Sequence, residues 1–495
     1  MSQKIHAASN RHLIWLDVAL LLLLTIYILA GIQLVPFHGD EATFLVMSED
    51  YDRIVKQGDF SHVLFQQEGS LKQGTRLSIG SILPYAIGLA RDITDVEGPL
   101  ERWLWGASWE ENVAQGNMPG SRLLQVARAF PAVMSALSIV LFFVTARRLL
   151  VSRPAAWLAT LTLATHGDVL VNFRRAIQDG PKFFFLILTL YIASHLLRDF
   201  QETNRRRYLY ICLGIASGLT LAAKQDAALL LVGIYLAIAF LPFLGTERLQ
   251  TILTNLLYLG AATILALACF LVLMPVFWGW WESALVLVGV VTILFQVPSW
   301  NIDRAAKPLT LAGCLLIVSM TVASPELWGK FVTPLASMIE TRGVIVEGQI
   351  EFLKRNHQPY LETAADRLRF LLQTTLTSKV MYMEAASFDV PPFHEQIAAY
   401  EGSLMAGRTG SPWIDGFVAV LAVIGGWSLL RNYQAESLLI YFMLITAGIL
   451  LLITVPLPWQ RYYLIMQIPY ALMAGAGVGL IGIWGKISLK SRSIK

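Results

Sequence analysis

An all-α, polytopic membrane fold of about twelve transmembrane helices, with two long loop regions on one face, follows from three observations. The chain of 495 residues is 56% hydrophobic and only 15% charged, with mean hydropathy +0.58. A soluble domain of that length needs far more charge to cover its surface. Apolar runs recur along most of the sequence. The basic residues fall mainly on alternate connections, as the positive-inside rule requires.

The apolar runs lie at about 13–36, 128–150, 154–171, 182–197, 208–223, 227–244, 251–276, 281–297, 308–323, 413–430, 437–456 and 462–484. The first is long enough to cross a ~30 Å hydrocarbon core at ~1.5 Å per residue. It lacks a small-x-small cleavage site and reads as a retained helix. A weaker stretch, Leu77–Ala90, contains Gly80, Pro84 and Gly88 and reads as an interfacial or re-entrant helix. Cys212, Cys269 and Cys314 all sit in apolar runs, without a CxxC pattern, and read as unpaired.

With the N-terminus inside, the inner face receives Lys4 and Arg11, Arg147, Arg148 and Arg153, Arg205–Arg207, Arg248, Arg304, Lys307, Arg431 and the basic tail. The short outer connections receive only Arg174, Arg175, Lys224 and Arg461. The expected organisation is then a cytoplasmic N-terminus (1–12), a first transmembrane helix (13–36) and an extracytoplasmic loop with interfacial helices (37–127). A transmembrane block (128–323), a large extracytoplasmic loop (324–412), three C-terminal helices (413–484) and a cytoplasmic tail (485–495) complete it. The loop 37–127 opens with Phe44, Met47, Tyr51 and Ile54 at helical spacing. The loop 324–412 should carry helices near Val332–Lys354 and Leu361–Lys379, then a turn at Val390-Pro391-Pro392.

The outer boundary concentrates the chemistry. His38, Asp40 and Glu41 follow the first run; Arg174, Arg175 and Asp179 occupy one short connection, Lys224 and Asp226 another, and Gln460 and Arg461 the last. Charges at the membrane plane are costly unless paired or wetted, so they mark a candidate site. Cations can hold a phosphate-linked leaving group while a carboxylate deprotonates an incoming hydroxyl. Structural roles compete with this reading. Asp40 after Gly39 also fits an N-cap, a role that can coexist with catalysis. Glu41 fits equally a wetted acid at a helix start. Arg174, Arg175, Lys224 and Arg461 suit headgroup anchors, and His38 and Asp226 suit loop caps. A zinc site from His38 and Asp40 with His166, His357 or His394 is open in principle, but no HxxxH or HExxH spacing supports it.

Five segments resemble one family in order. Phe37-His38-Gly39-Asp40-Glu41-Ala42 resembles the first-outer-loop acidic motif of GT-C glycosyltransferases, the superfamily of protein O-mannosyltransferases and lipid A aminoarabinose transferases. Arg128-Ala129-Phe130-Pro131-Ala132 leading to Ala146-Arg147-Arg148-Leu149 resembles the second span of that family. Arg174 with Asp179, Gly218-Leu219 to Lys224, and Gln460-Arg461-Tyr462-Tyr463-Leu464 resemble three later motifs. Ser324-Pro325-Glu326-Leu327-Trp328 also resembles the start of the large outer loop in the mannosyltransferase-like branch. The family's HPPLY element is absent, and Gly74-Thr75-Arg76-Leu77-Ser78 stands in its place.

The resemblance implies a GT-C-like membrane glycosyltransferase, a hexosyl- or pentosyltransferase. It would pass a sugar, with inversion, from a polyprenyl-phosphate donor to a lipid, glycan or protein acceptor on the extracytoplasmic face. Asp40 would be the general base with Glu41 beside it. Arg174, Lys224 and Arg461 would hold the phosphate, and Asp179 and Gln460 would assist donor binding. No cofactor is required; a divalent metal is possible but unsupported by spacing. Nothing points to nucleic acid. The rival class is a transporter or flippase of lipid-linked substrates. Transporters favour midplane charges and paired interrupted helices, whereas these charges collect at one face.

Overall fold

The computed structural model describes residues 2–65, 71–150, 152–198, 203–244, 249–280, 289, 325–383, 385–432 and 434–492. Among the described residues the fold is helical, with one isolated bridge, His166 to Arg408, as its only β pairing. Seven helices are long and apolar enough to cross a membrane, and the shorter apolar stretch Leu464–Leu480 adds to them. The expected runs 281–297 and 308–323, and Cys314, lie outside the described residues.

Helix α1 (Ser2–Ala30) carries the first span, and exposed Trp15, Leu22 and Leu23 form a lipid-facing surface on it. It ends six residues before the expected boundary, and a short coil carries the chain into α2 (Gly39–Met47). The first loop continues through short helical turns to α3 (Leu71–Ser78) and α4 (Ile82–Thr94). The weak stretch Leu77–Ala90 therefore spans a short break and most of the second of these helices. Gly80 sits at that break, and a Cβ there would lie 2.1 Å from the Ala222 carbonyl oxygen. Only glycine permits this approach to the next segment.

The main block comprises α5 (Ser121–Leu149), α6 (Arg153–Ala164), α7 (Gly167–Arg174), α8 (Asp179–Arg198), α9 (Thr203–Ala223), α10 (Ala228–Phe240) and α11 (Leu249–Leu273). Helix α8 packs against both α5 and α9, and α9 packs against α11. The expected single span 154–171 is instead two helices. The Thr165 carbonyl at the break accepts from the Arg408 amide (2.7 Å), so the second loop inserts there. A transmembrane helix needs roughly 20 apolar residues, and neither piece has them.

The second loop contributes α12 (Pro325–Arg355), α13 (Ala364–Leu376) and α14 (Pro391–Glu401). The Val390-Pro391-Pro392 turn starts α14, with proline in its first turn as helix geometry favours. The chain closes with α15 (Pro412–Asn432), α16 (Gln434–Thr454) and α17 (Gln467–Arg492). Helix α17 packs between α15 and α6, while α16 packs on α10.

A second core joins the two loops. Phe37, Trp103, Trp109, Phe388 and Phe393 are buried against one another, with Trp103 and Phe388 rings 5.2 Å apart. Aromatic contacts of this kind fix geometry as well as burying area. The start of α2 is thus held by residues from both loops.

Candidate active site

Local sequence sets the acidic pair. His38 is the N-cap of α2: its Nδ1 accepts from the Asp40 amide (3.1 Å), and Glu41 Oε2 accepts from the His38 amide (3.0 Å). Packing against Trp105 (5.7 Å) and Phe388 (6.4 Å) holds the imidazole. A capping box of this kind orients the first turn. The two acids then point to different places.

Glu41 points inward. It is fully buried, takes a bidentate pair from Arg128 (2.7 Å at each oxygen) and accepts from the Ala176 amide (2.7 Å). Burial pushes its carboxyl up, but the Arg128 guanidinium and these hydrogen bonds more than offset that, holding it below the usual value. Arg128 also donates to the Ile32 and Val35 carbonyls (2.9 and 3.0 Å), so Glu41 anchors the end of the first span to α5. Both oxygens of Glu41, expected beside the base, are already occupied by Arg128, Ala176 and His38.

Asp40 points outward, into a cavity of about 500 Å³. Arg461 donates to its carboxylate, and Lys224, Asp179, Asp226, Arg342 and Tyr462 line the same space. Burial tends to raise the Asp40 carboxyl, but Arg461, then His38, hold it below the ordinary carboxylate value. Lys224 is opposed by burial, yet the Asp179 and Asp226 carboxylates hold its ammonium well above the usual lysine value. Three cations surround one ring: Lys224, Arg342 and Arg461 lie 5.8, 5.6 and 5.5 Å from the Tyr462 centroid.

Arg174 does not join them. It is fully buried, donates to the Ile28 and Tyr27 carbonyls (2.9 and 2.7 Å), the Tyr400 hydroxyl (2.8 Å) and the Met405 carbonyl. Its guanidinium closes the end of α1 and ties it to the second loop, because the last carbonyls of a helix lack intrahelical donors. Gly31 leaves room for it: a Cβ there would lie 2.2 Å from the Arg174 Cζ. Arg175 is buried too, donating to the Pro36 carbonyl (3.2 Å). Gln460 likewise serves the backbone, accepting from the Met381 amide and donating to the Lys379 carbonyl (2.7 Å each). Neither Arg174 nor Gln460 lines the cavity.

The histidines are also apart. His166 Nε2 contacts the Thr377 carbonyl (3.1 Å), His394 pairs with Asp389 (3.0 Å), and His357 occupies a turn with φ 52°. Among the described residues no three His, Cys, Asp or Glu side chains are grouped as a metal site.

Two residues of the cavity region escaped the sequence reading. Lys182 is fully buried and pairs with Asp179 (2.6 Å) and Asp226 (3.3 Å). Its spacing of three from Asp179 at a helix start was the available signal. Arg342 lies on α12 within a stripe formed by Met338, Ile339, Ile345, Val346 and Gln349. That spacing puts one helix face toward the cavity, with a single cation among apolar side chains. Leu229, Leu451, Val455 and Leu457 line the cavity as well, so charged and apolar side chains share its wall.

Residues 100–288 match the sequence family of dolichyl-phosphate-mannose-protein mannosyltransferases. The match covers less than half of the chain. It includes Asp179, Lys182, Lys224 and Asp226, while Asp40, Arg342 and Arg461 lie outside it. No curated protein matches the chain. Among solved structures, the chain is similar to the Saccharomyces cerevisiae protein O-mannosyltransferase Pmt1–Pmt2 complex with its sugar donor. That similarity has 16% identity over 52% of this chain and 33% of that one, with TM-score 0.37. The Archaeoglobus fulgidus oligosaccharyltransferase is 13% identical over 96% of this chain and 51% of its own, with TM-score 0.47. ArnT from Cupriavidus metallidurans, bound to undecaprenyl phosphate, is 13% identical over 94% and 78%, with TM-score 0.35. No TM-score here reaches 0.5. With seven described helices long and apolar enough to cross a membrane, the chain reads as a multi-pass membrane protein.

Proposed function

We propose that this protein transfers a sugar from a polyprenyl-phosphate donor to an acceptor hydroxyl at the extracytoplasmic face. The observation that carries the reading is a single cavity lined both by Asp40 with Lys224, Arg342 and Arg461, the three cations gathered about Tyr462, and by apolar side chains of α12, α10 and α16. A polyprenyl-phosphate sugar has the same division, with an anionic head and an apolar chain. The cations would take the phosphate, and the α12 stripe would take the first isoprenoid units.

In this reading the acceptor oxygen attacks C1 while its proton passes to the Asp40 carboxylate. The bond from C1 to the phosphate oxygen breaks, and its electron pair leaves with the polyprenyl phosphate. Attack opposite the leaving group inverts the anomeric centre. A carboxylate is a weak base toward an alcohol, so proton transfer is concerted with departure of the phosphate. Arg461 serves twice, keeping Asp40 ionised and meeting the phosphate charge as it develops. Arg174, buried elsewhere, has no part in this clamp.

The test is direct. The purified chain in nanodiscs is given mannosyl, glucosyl and galactosyl polyprenyl phosphates with extracts of outer-surface protein and lipid. The reading expects release of sugar-free polyprenyl phosphate matched by labelled acceptor. Release of the flipped donor across a vesicle bilayer without any cleavage would reject it.

A further inference from the structure

A second cavity, of about 310 Å³, adjoins the first, and Thr43 lines both. On α2, Asp40 and Thr43 line the first cavity, and Thr43, Val46 and Met47 line the second. One helix wall thus runs from the acid into the new space. Arg102 lines the second cavity and donates from Nη2 to Thr75 Oγ1 (3.3 Å), and Thr75 lines the first, so this bond joins the two walls. Leu100 adds to the apolar lining, while Lys72 and Glu101, both exposed, bring charge to the rim. Lys72 is held there by Glu49. None of the three cations gathered about Tyr462 lines this space.

We propose that this second cavity binds the acceptor, and that the acceptor is a polypeptide whose apolar side chain, two or three residues from the reacting serine or threonine, fills it. The inference rests on the transfer reading above and adds what that reading leaves open, the class of acceptor. Inversion puts the acceptor oxygen and the phosphate on opposite sides of C1. The acceptor therefore needs space that the phosphate-holding cations do not occupy. The second cavity meets that need and begins at Thr43, one turn of α2 beyond Asp40. Its reach sets the spacing. Met47 follows Asp40 by seven positions, about 10 Å along the helix at ~1.5 Å per residue. An extended peptide covers that span in about three residues. Val46, Met47 and Leu100 suit an apolar side chain, while Arg102 and Glu101 can serve the polar backbone groups beside it. The same lining disfavours the other acceptors. A lipid's acyl chains would have to strip water from Lys72, Glu101 and Arg102. A glycan would gain most from an aromatic face to stack on, and among the described residues no aromatic ring lines this cavity.

The full-length protein in nanodiscs, given labelled mannosyl, glucosyl and galactosyl polyprenyl phosphates with outer-surface protein, lipid and glycan, tests this. Label should appear on protein, and the modified serines and threonines should have an apolar residue two or three positions away on one side. In a peptide copied from such a site, glycine in place of that residue should raise KM about tenfold or more, the scale for burying one large apolar side chain, with kcat little changed. Val46→Trp fills the cavity and should raise the peptide KM by a similar factor, while sugar-free polyprenyl phosphate binds as it does to the parent. Glu101 is exposed, and Glu101→Trp obstructs the same space if Val46→Trp does not fold. Label on lipid or glycan alone would overturn the inference and leave the transfer reading standing. An unchanged KM for the glycine peptide, or for the parent peptide in every folded variant, would overturn it as well. No cleavage of any donor would reject the transfer reading first, and this one with it.

Discussion

Arg461 donates to the carboxylate of Asp40, and the pair joins the start of α2 to the connection that leads into α17. Elements 421 positions apart in sequence thereby meet at one cavity. The pair has an immediate consequence for titration. Despite burial, Arg461 and His38 hold the Asp40 carboxyl below its ordinary value of 3.8. A depressed carboxyl contributes stability that is present above the unfolded pKa and lost as pH falls through the folded one.

The acidic limb of the transfer rate should therefore lie below pH 3.8 for the free enzyme, with a level rate above it until a different group titrates. A pH profile of kcat/KM, with folding followed by intrinsic fluorescence, checks this. An acidic limb near pH 6 would mean that a different group carries the proton.

Glu41→Gln should destabilise the protein more than it alters chemistry. It removes one partner of a buried bidentate pair, a loss on the order of 3–5 kcal/mol. The measurement is thermal unfolding in detergent, expected to show a clear fall in Tm. Donor affinity of the protein that remains folded should be close to that of the parent.

Arg174→Lys should behave similarly. A lysine ammonium cannot reach two α1 carbonyls, Tyr400 and Met405 while lying between the Tyr27 and Tyr400 rings. The expected cost is about 3 kcal/mol of stability, with unchanged binding of sugar-free polyprenyl phosphate by the folded fraction. Selective loss of lipid binding at unchanged Tm would return Arg174 to the phosphate clamp.

Arg342→Ala should do the reverse. Among the described residues Arg342 has no carboxylate partner within salt-bridge distance, and its contact is the Tyr462 ring. Stability should be nearly unchanged, while transition-state stabilisation falls by roughly 2–4 kcal/mol, the scale for one preorganised donor. Transfer assays at saturating and limiting donor separate the effect on kcat from that on KM.

Much of this architecture is legible in the sequence. Apolar runs place α5, α8, α10, α11, α15 and α16 within several residues, because a bilayer demands long uninterrupted helices. The break inside 154–171 is not legible, because it depends on Arg408 from a distant loop bonding to Thr165. The same limit governs the site. Asp40, Lys224, Asp179 and Arg461 are marked by their place at the membrane boundary, and the structure brings them to one cavity. Arg174 carries the same mark, yet its side chain turns to the carbonyls that end α1. Sequence position shows that a charge needs a partner at the boundary. Only tertiary packing says whether that partner is a helix end or a ligand.

The Asp40→Asn substitution tests the central claim most directly. Asn keeps the size of the side chain and leaves the amide-to-His38 cap in place, since the Asp40 backbone is the donor. It removes the charge that takes the acceptor proton. Single-turnover transfer by the purified variant, with donor binding measured on the same sample, should show near-parent binding and a rate reduced about 10²–10⁴-fold. Transfer at close to the parent rate by a folded, donor-binding Asp40→Asn protein would contradict the assignment of Asp40 as the base.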